Sequence, residues 1–147
     1  MKSLLVVNGP NLNMLGTRQP EVYGHATLED VEALCRETAA EVGCSVSFFQ
    51  SNHEGALIDT LHAAPGQYDG IVLNAGAYSH TSIALYDAIP SIGIPTVEIH
   101  ISNIHARETF RHKSLITPVA IGIVSGLGII GYALGIRAVI AHLGDQR

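Results

Sequence analysis

The sequence predicts an α/β fold in three layers, a doubly wound five-stranded parallel sheet with helices on both faces. Three observations predict it. Short apolar runs alternate with helical periods along the whole chain. The segments between the runs are helical, as the right-handed crossovers of a parallel sheet require. Polar residues gather just after the first, third and fourth runs, where ligands sit in such sheets. Periodicity does not fix the strand order, but 2-1-3-4-5 suits five strands and is common.

Residues 3–8 read as the first strand, and 9–26 as a polar loop punctuated by Gly9, Pro10, Gly16, Pro20 and Gly24, too long to be only a connector. Thr27-Leu28-Glu29-Asp30 resembles a capping box, after which Leu28, Val31, Leu34, Cys35, Thr38 and Val42 recur at helical spacing until Gly43. Residues 45–50 give a second strand, 54–64 a second helix and 70–74 a third strand. Residues 81–89 predict a helix, 96–100 the fourth strand, 103–112 a short basic helix, 119–124 the fifth strand and 129–143 the last helix.

A chain of 147 residues fits one domain, 1–147, and a composition 47% hydrophobic against 14% charged excludes intrinsic disorder. A mean hydropathy of +0.28 points to a large core or extensive subunit contacts. Eight Lys and Arg against thirteen Asp and Glu leave no basic stripe, so nucleic acid is not an expected partner. Cys35 and Cys44 cannot build a disulfide framework, and neither lies in a C-x-x-C spacing, so a cytoplasmic setting and a core-packing role are expected. The opening apolar stretch is too short for a signal peptide. From Ser114 to Ile136 no residue is charged, a length that could cross a bilayer. Thr117-Pro118, a β-branched run and Ser125-Gly126-Leu127-Gly128 instead divide it into strand, turn and helix, so no membrane partner is expected.

The loop 8–24 brings one cation, Arg18, and one phenol, Tyr23, into a segment that reads either as a lid or as a surface loop. A tyrosine can take a proton near neutral pH only where positive charge favours its phenolate, which Arg18 and Arg107 could supply. On a helix Arg107 and Arg111, four apart, would share one face, fit for an anion, for hydroxyls or simply for solvent. His100 lies two residues after Glu98 on a strand, so the carboxylate can orient the imidazole, as a general acid or as a structural pair. His80 opens the following helix, where capping, packing and ligand binding are all open. His100, His105 and His112 show no spacing of a metal triad. Gly126-Leu127-Gly128-Ile129-Ile130-Gly131 matches a dinucleotide fingerprint, but a second strand ending in an acidic residue does not follow it. Close packing of the last helix on the sheet or on a neighbouring subunit explains these glycines better. A flavin- or nucleotide-binding module of the same fold remains the alternative, although the first loop lacks the hydroxyls that would cradle a phosphate.

Four motifs stand in order: Asn8-Gly9-Pro10-Asn11-Leu12-Asn13, Arg18-Gln19-Pro20-Glu21-Val22-Tyr23-Gly24, Asn74-Ala75-Gly76-Ala77-Tyr78-Ser79-His80-Thr81-Ser82 and Glu98-Ile99-His100-Ile101-Ser102-Asn103 with its continuation to Glu108. With them the chain resembles type II 3-dehydroquinate dehydratase over nearly its full length. The resemblance implies a flavodoxin-like, cytoplasmic lyase of the shikimate pathway and of aromatic amino acid biosynthesis. It would dehydrate 3-dehydroquinate to 3-dehydroshikimate by anti elimination through an enolate, with no cofactor, metal or Schiff base. Tyr23 would be the base, Arg18 and Arg107 would hold it as phenolate, Asn11 would stabilise the enolate, and His100, oriented by Glu98, would be the acid. Asn74 with the Ile101 and Ser102 amides would hold the carboxylate, His80 and Arg111 the ring hydroxyls, and Asp87 would reach a neighbouring subunit's site. The segment about 17–25 would be a mobile lid, and the subunits would form a homododecamer built of trimers. Ser79 stands where Thr is expected, and His25-Ala26 replaces a small polar pair.

Overall fold

A computed structural model describes residues 1–144, so the last three residues of the expected domain, 145–147, lie outside the described residues. Strands β1 (Lys2–Asn8), β2 (Cys44–Gln50), β3 (Gly70–Asn74), β4 (Thr96–His100) and β5 (Gly122–Ser125) pair in parallel in the order β2-β1-β3-β4-β5. The order reverses between β1 and β3, whose ends align with Asn8 opposite Asn74. At such a switch point the loops leave in opposite directions and open a crevice.

The central strands β1, β3 and β4 are buried on both faces, whereas the edge strands β2 and β5 are partly exposed. Leu4 and Val6 pack with Val72, Val97 and Ile99 against α2 (Leu28–Val42) and α5 (Ile130–Gly144). Leu5 and Val7 face the opposite way and pack with Ile71 and Leu73 of β3 and with Leu57, Leu61 and Leu85 from the layer of α3 (Glu54–Ala63) and α4 (Ile83–Ile92). Each such side chain contributes about 1.5–3 kcal/mol by leaving water. Both cysteines are buried and free, and burial, reinforced by Glu32, pushes the Cys35 thiol up to about 12.

The capping box opens α2 as expected, with the Thr27 hydroxyl accepting from the Asp30 amide and the Asp30 carboxylate accepting from the Thr27 amide. Several boundaries differ from the sequence reading. The 9–26 loop contains a 3₁₀ turn, Leu12–Met14, and one helical turn, α1 (Pro20–Tyr23), with Pro20 at its start and Gly24 at φ 78° at its end. Helix α4 begins two residues late, because Ser82 rather than an earlier residue accepts from the Leu85 amide. It also continues to Ile92, since Pro90, exposed in the last turn, removes only one helical hydrogen bond. The fifth strand starts at Gly122 because Pro118 turns Thr117–Val119 into a 3₁₀ turn.

The expected basic helix over 103–112 does not form. Two 3₁₀ turns, Ile104–Ala106 and Thr109–Arg111, stand there instead, separated by extended Arg107 and Glu108. The Asn103 side chain accepts from the His105 amide, and so short a helix is marginal in any case. The chargeless stretch 114–136 resolves into turn, strand and helix, and among the described residues no helix is long and apolar enough to cross a membrane. In the glycine hexad, the Gly126 and Gly128 amides donate to the His100 and Ile101 carbonyls, so the loop is tied to the end of β4. Gly135 does provide close approach, for a Cβ there would come within 2.7 Å of the Ile99 side chain.

Candidate active site

The carboxyl ends of β1, β3 and β4 open into one cavity of about 160 Å³. Gly9 makes its floor possible. A Cβ at this position would lie 2.5 Å from the Ala75 carbonyl oxygen, and its amide donates to the Asn74 carbonyl at 2.8 Å. Two residues on, Asn11 takes a left-handed conformation, φ 68°, which Asn tolerates better than most residues. Its amide donates to Asn52 Oδ1 at 2.9 Å, and Gln50 donates to the same oxygen, so the end of β2 braces the loop after β1.

Tyr23 and Arg18 enter the cavity from α1 and the residue-17 to residue-19 stretch before it. Arg107 Nη1 donates to the Tyr23 hydroxyl at 2.9 Å and to Ser102 Oγ at 3.3 Å. Arg18 meets the same ring by its face, its guanidinium carbon 4.7 Å from the ring centroid, and Arg107 lies 5.3 Å from that centroid. The two cations therefore differ in their hold on the phenol. The extended Arg107 backbone is what lets its side chain reach back over Ser102, so Arg107 and Arg111 both line the cavity without sharing a helix face.

His100 and Glu98 form a buried pair at the end of β4, with His100 Nε2 2.5 Å from Glu98 Oε2. Ser114 Oγ donates to the same carboxylate oxygen and Thr117 Oγ1 to the other. Burial by itself would raise the Glu98 carboxyl, yet these three hydrogen bonds outweigh it and hold the group below the ordinary carboxylate range. An ionised carboxylate can only accept, so His100 Nε2 carries a proton and Nδ1 is the nitrogen available to the cavity. His80 stacks on His100 with centroids 6.1 Å apart. Its Nδ1 lies 2.8 Å from the Lys113 carbonyl oxygen, which requires a proton there. Burial, aided by the neighbouring His100 and Arg111, keeps the His80 pKa low, so the ring is neutral and Nε2 is an acceptor. His80 sits in the 3₁₀ turn Gly76–His80 ahead of α4, so it does not open that helix.

The cavity thus gathers Asn11, Arg18 and Tyr23 from the first loop, Asn74 and His80 from the second, and His100, Ile101, Ser102, Arg107 and Arg111 from the third. Of the residues singled out in the sequence, Glu98 stands behind His100, and Asp87 is exposed on α4 outside the cavity. Ser114, Thr117, Asn52 and Glu108, which accepts from Arg111 Nε at 2.7 Å, were not singled out. They act on the site through other residues from separate segments, and no periodic pattern marks such positions. His105 and His112 approach to 6.1 Å, but among the described residues no three potential metal ligands converge.

The family described as dehydroquinase class II matches residues 2–140. A 3-dehydroquinate dehydratase from Ruegeria pomeroyi is 60% identical over 146 residues, 99% of this chain and 98% of its own length. Another 3-dehydroquinate dehydratase, from Dinoroseobacter shibae, is 55% identical over 140 residues, covering 95% of this chain and 93% of that one. The crystal structure of a type II dehydroquinase from Butyrivibrio crossotus superposes with a TM-score of 0.92 at 43% identity, covering 94% of this chain and 97% of that one.

Proposed function

The chain belongs to the class II dehydroquinase family and is an enzyme of the 3-dehydroquinate dehydratase type, and from that premise we propose how its residues divide the reaction. Tyr23, as phenolate, removes the proton alpha to the ketone, and the C–H electron pair becomes an enolate that Asn11 stabilises. The enolate then collapses and expels the hydroxyl group as water, with the proton supplied from Nδ1 of doubly protonated His100, which keeps its Nε2 proton on Glu98 and is left as neutral imidazole. Substrate loses one water by anti elimination and gains the conjugated double bond of 3-dehydroshikimate.

The observation that carries this reading is the Arg107 hydrogen bond to the Tyr23 hydroxyl, 2.9 Å, in the cavity that also exposes His100. A guanidinium at that distance favours the ionised phenol, the form a base needs. Glu98 supports the acid role by holding His100 Nε2, which leaves Nδ1 for the leaving hydroxyl. The second N–H of Asn74 and the amides of Ile101 and Ser102 would receive the substrate carboxylate. Neutral His80 would accept from a ring hydroxyl, and Arg111 would donate to one. The segment about 17–25 closes over the substrate as a lid. Asp87, exposed on α4, completes a neighbouring subunit's site within a homododecamer of trimers.

Two dehydroquinate samples test the scheme, each with one deuterium on the carbon between the ketone and the leaving hydroxyl's carbon, anti to that hydroxyl in one sample and syn in the other, with the mass of the enone product as the readout. The label anti to the leaving hydroxyl should be lost and the syn label retained. Retention of the anti label would refute anti elimination.

A further inference from the structure

A buried polar chain lies under the cavity, and two of its members, Asn8 and Tyr132, have no part in the reaction scheme. β1 and β3 end side by side at Asn8 and Asn74, and both side chains meet Tyr132 of α5. The Tyr132 hydroxyl donates to Asn8 Oδ1 at 2.6 Å and accepts from Asn74 Nδ2 at 2.9 Å. Tyr132 is 0% exposed, Asn8 1% and Asn74 3%, so none of these bonds competes with bulk water. Asn74 Oδ1 in turn accepts from the Gly76 amide at 3.2 Å.

A carboxamide offers two N–H donors and one oxygen. In Asn74 the oxygen and one N–H are taken by Gly76 and Tyr132, which leaves one N–H on a residue that lines the cavity. The direction of the chain is fixed from Asn8: the tyrosine's only proton goes there, so its oxygen can receive only an N–H from Asn74. A flipped carboxamide would set oxygen against oxygen. Burial pushes the Tyr132 hydroxyl above its ordinary range, so that proton is retained near neutral pH. Gly135 of α5 brings the phenol within reach, since a Cβ there would lie 2.7 Å from the Ile99 side chain and its absence lets the helix lie on the sheet.

We propose that Tyr132 is a positioning residue for substrate binding, whose hydroxyl sets the Asn74 carboxamide so that its remaining N–H points at the substrate carboxylate. This rests on the reading of Asn74 as a carboxylate donor. A bond that grips a non-reacting group equally in ground and transition states alters KM and leaves kcat alone.

Steady-state dehydration by the wild type, Asn74→Ala, Tyr132→Phe and the double variant separates the possibilities. Tyr132→Phe should raise KM about tenfold with kcat nearly unchanged. In the Asn74→Ala background it should add nothing, because the group it positions is gone. If Asn74→Ala raises KM but Tyr132→Phe leaves it at the wild-type value, or if the two effects add in full, Tyr132 is not acting through Asn74 and the proposal is overturned while the Asn74 reading stands. If Asn74→Ala leaves KM unchanged, that reading fails and the proposal with it. Should Tyr132→Phe not fold, Asn8→Ala removes the acceptor that fixes the hydroxyl proton. A smaller KM rise is then expected, and an unchanged KM overturns the proposal.

Discussion

Tyr23 is held by two guanidinium groups along different routes, and their removal should differ accordingly. Arg107 touches the hydroxyl of Tyr23, the proposed base, so Arg107→Gln should lower kcat by about ten- to a hundredfold, the value of one charge-assisted hydrogen bond. Arg18 meets only the ring face and makes no hydrogen bond to the hydroxyl, so Arg18→Gln should lower kcat by less than Arg107→Gln does in the same assay. A larger loss in Arg18→Gln would overturn this division of labour. Glu98 carries a pH signature. Its carboxyl is held below the ordinary value of 4.5 in the folded protein, so its contribution to stability is complete above that value and is lost as pH falls through the folded pKa. Melting temperatures followed downward from pH 5 should therefore decline less steeply in Glu98→Gln than in the wild type. Most cavity-lining residues were legible in the sequence because they stand in compact motifs at strand ends. Ser114 and Thr117 were not, since their link to Glu98 exists only once the chain folds back.

The elements follow the alternation of apolar runs and helical periods closely, and depart from it where local side-chain hydrogen bonds or proline intervene. Asn103, Ser82 and Pro118 each move a boundary by such means. The 103–112 segment is the instructive failure. Arg107 must leave a helical path to reach Tyr23, and that demand comes from a residue far away in sequence. Gly9 shows how an element end depends on one missing Cβ. Gly9→Ala would drive a methyl carbon into backbone, with the Ala75 carbonyl oxygen 2.5 Å away. It should destabilise the protein by about 1–3 kcal/mol, read by denaturant unfolding, and raise KM by displacing Asn74. Wild-type stability and KM in that variant would contradict the described approach of β1 and β3.

At the scale of the whole molecule, the layers and strand order answer to burial on both sheet faces, whereas the proposed assembly has a fainter trace. Ile121 and Ile123 at the β5 edge and Leu127, Ile130 and Leu134 beside it keep 38–58% of their surface exposed. Apolar side chains clustered on one flank suit contact with further copies of the chain. Sedimentation equilibrium should return a mass of twelve subunits, and a monomer at micromolar concentration would contradict the assembly. The proposed chemistry turns on a single phenol. Tyr23→Phe keeps the ring between its arginines and deletes only the oxygen, so the dehydration assay on that variant is the most direct test. With an unchanged melting temperature, kcat should fall by about 10²–10⁴-fold. Near-normal turnover by Tyr23→Phe would contradict the account.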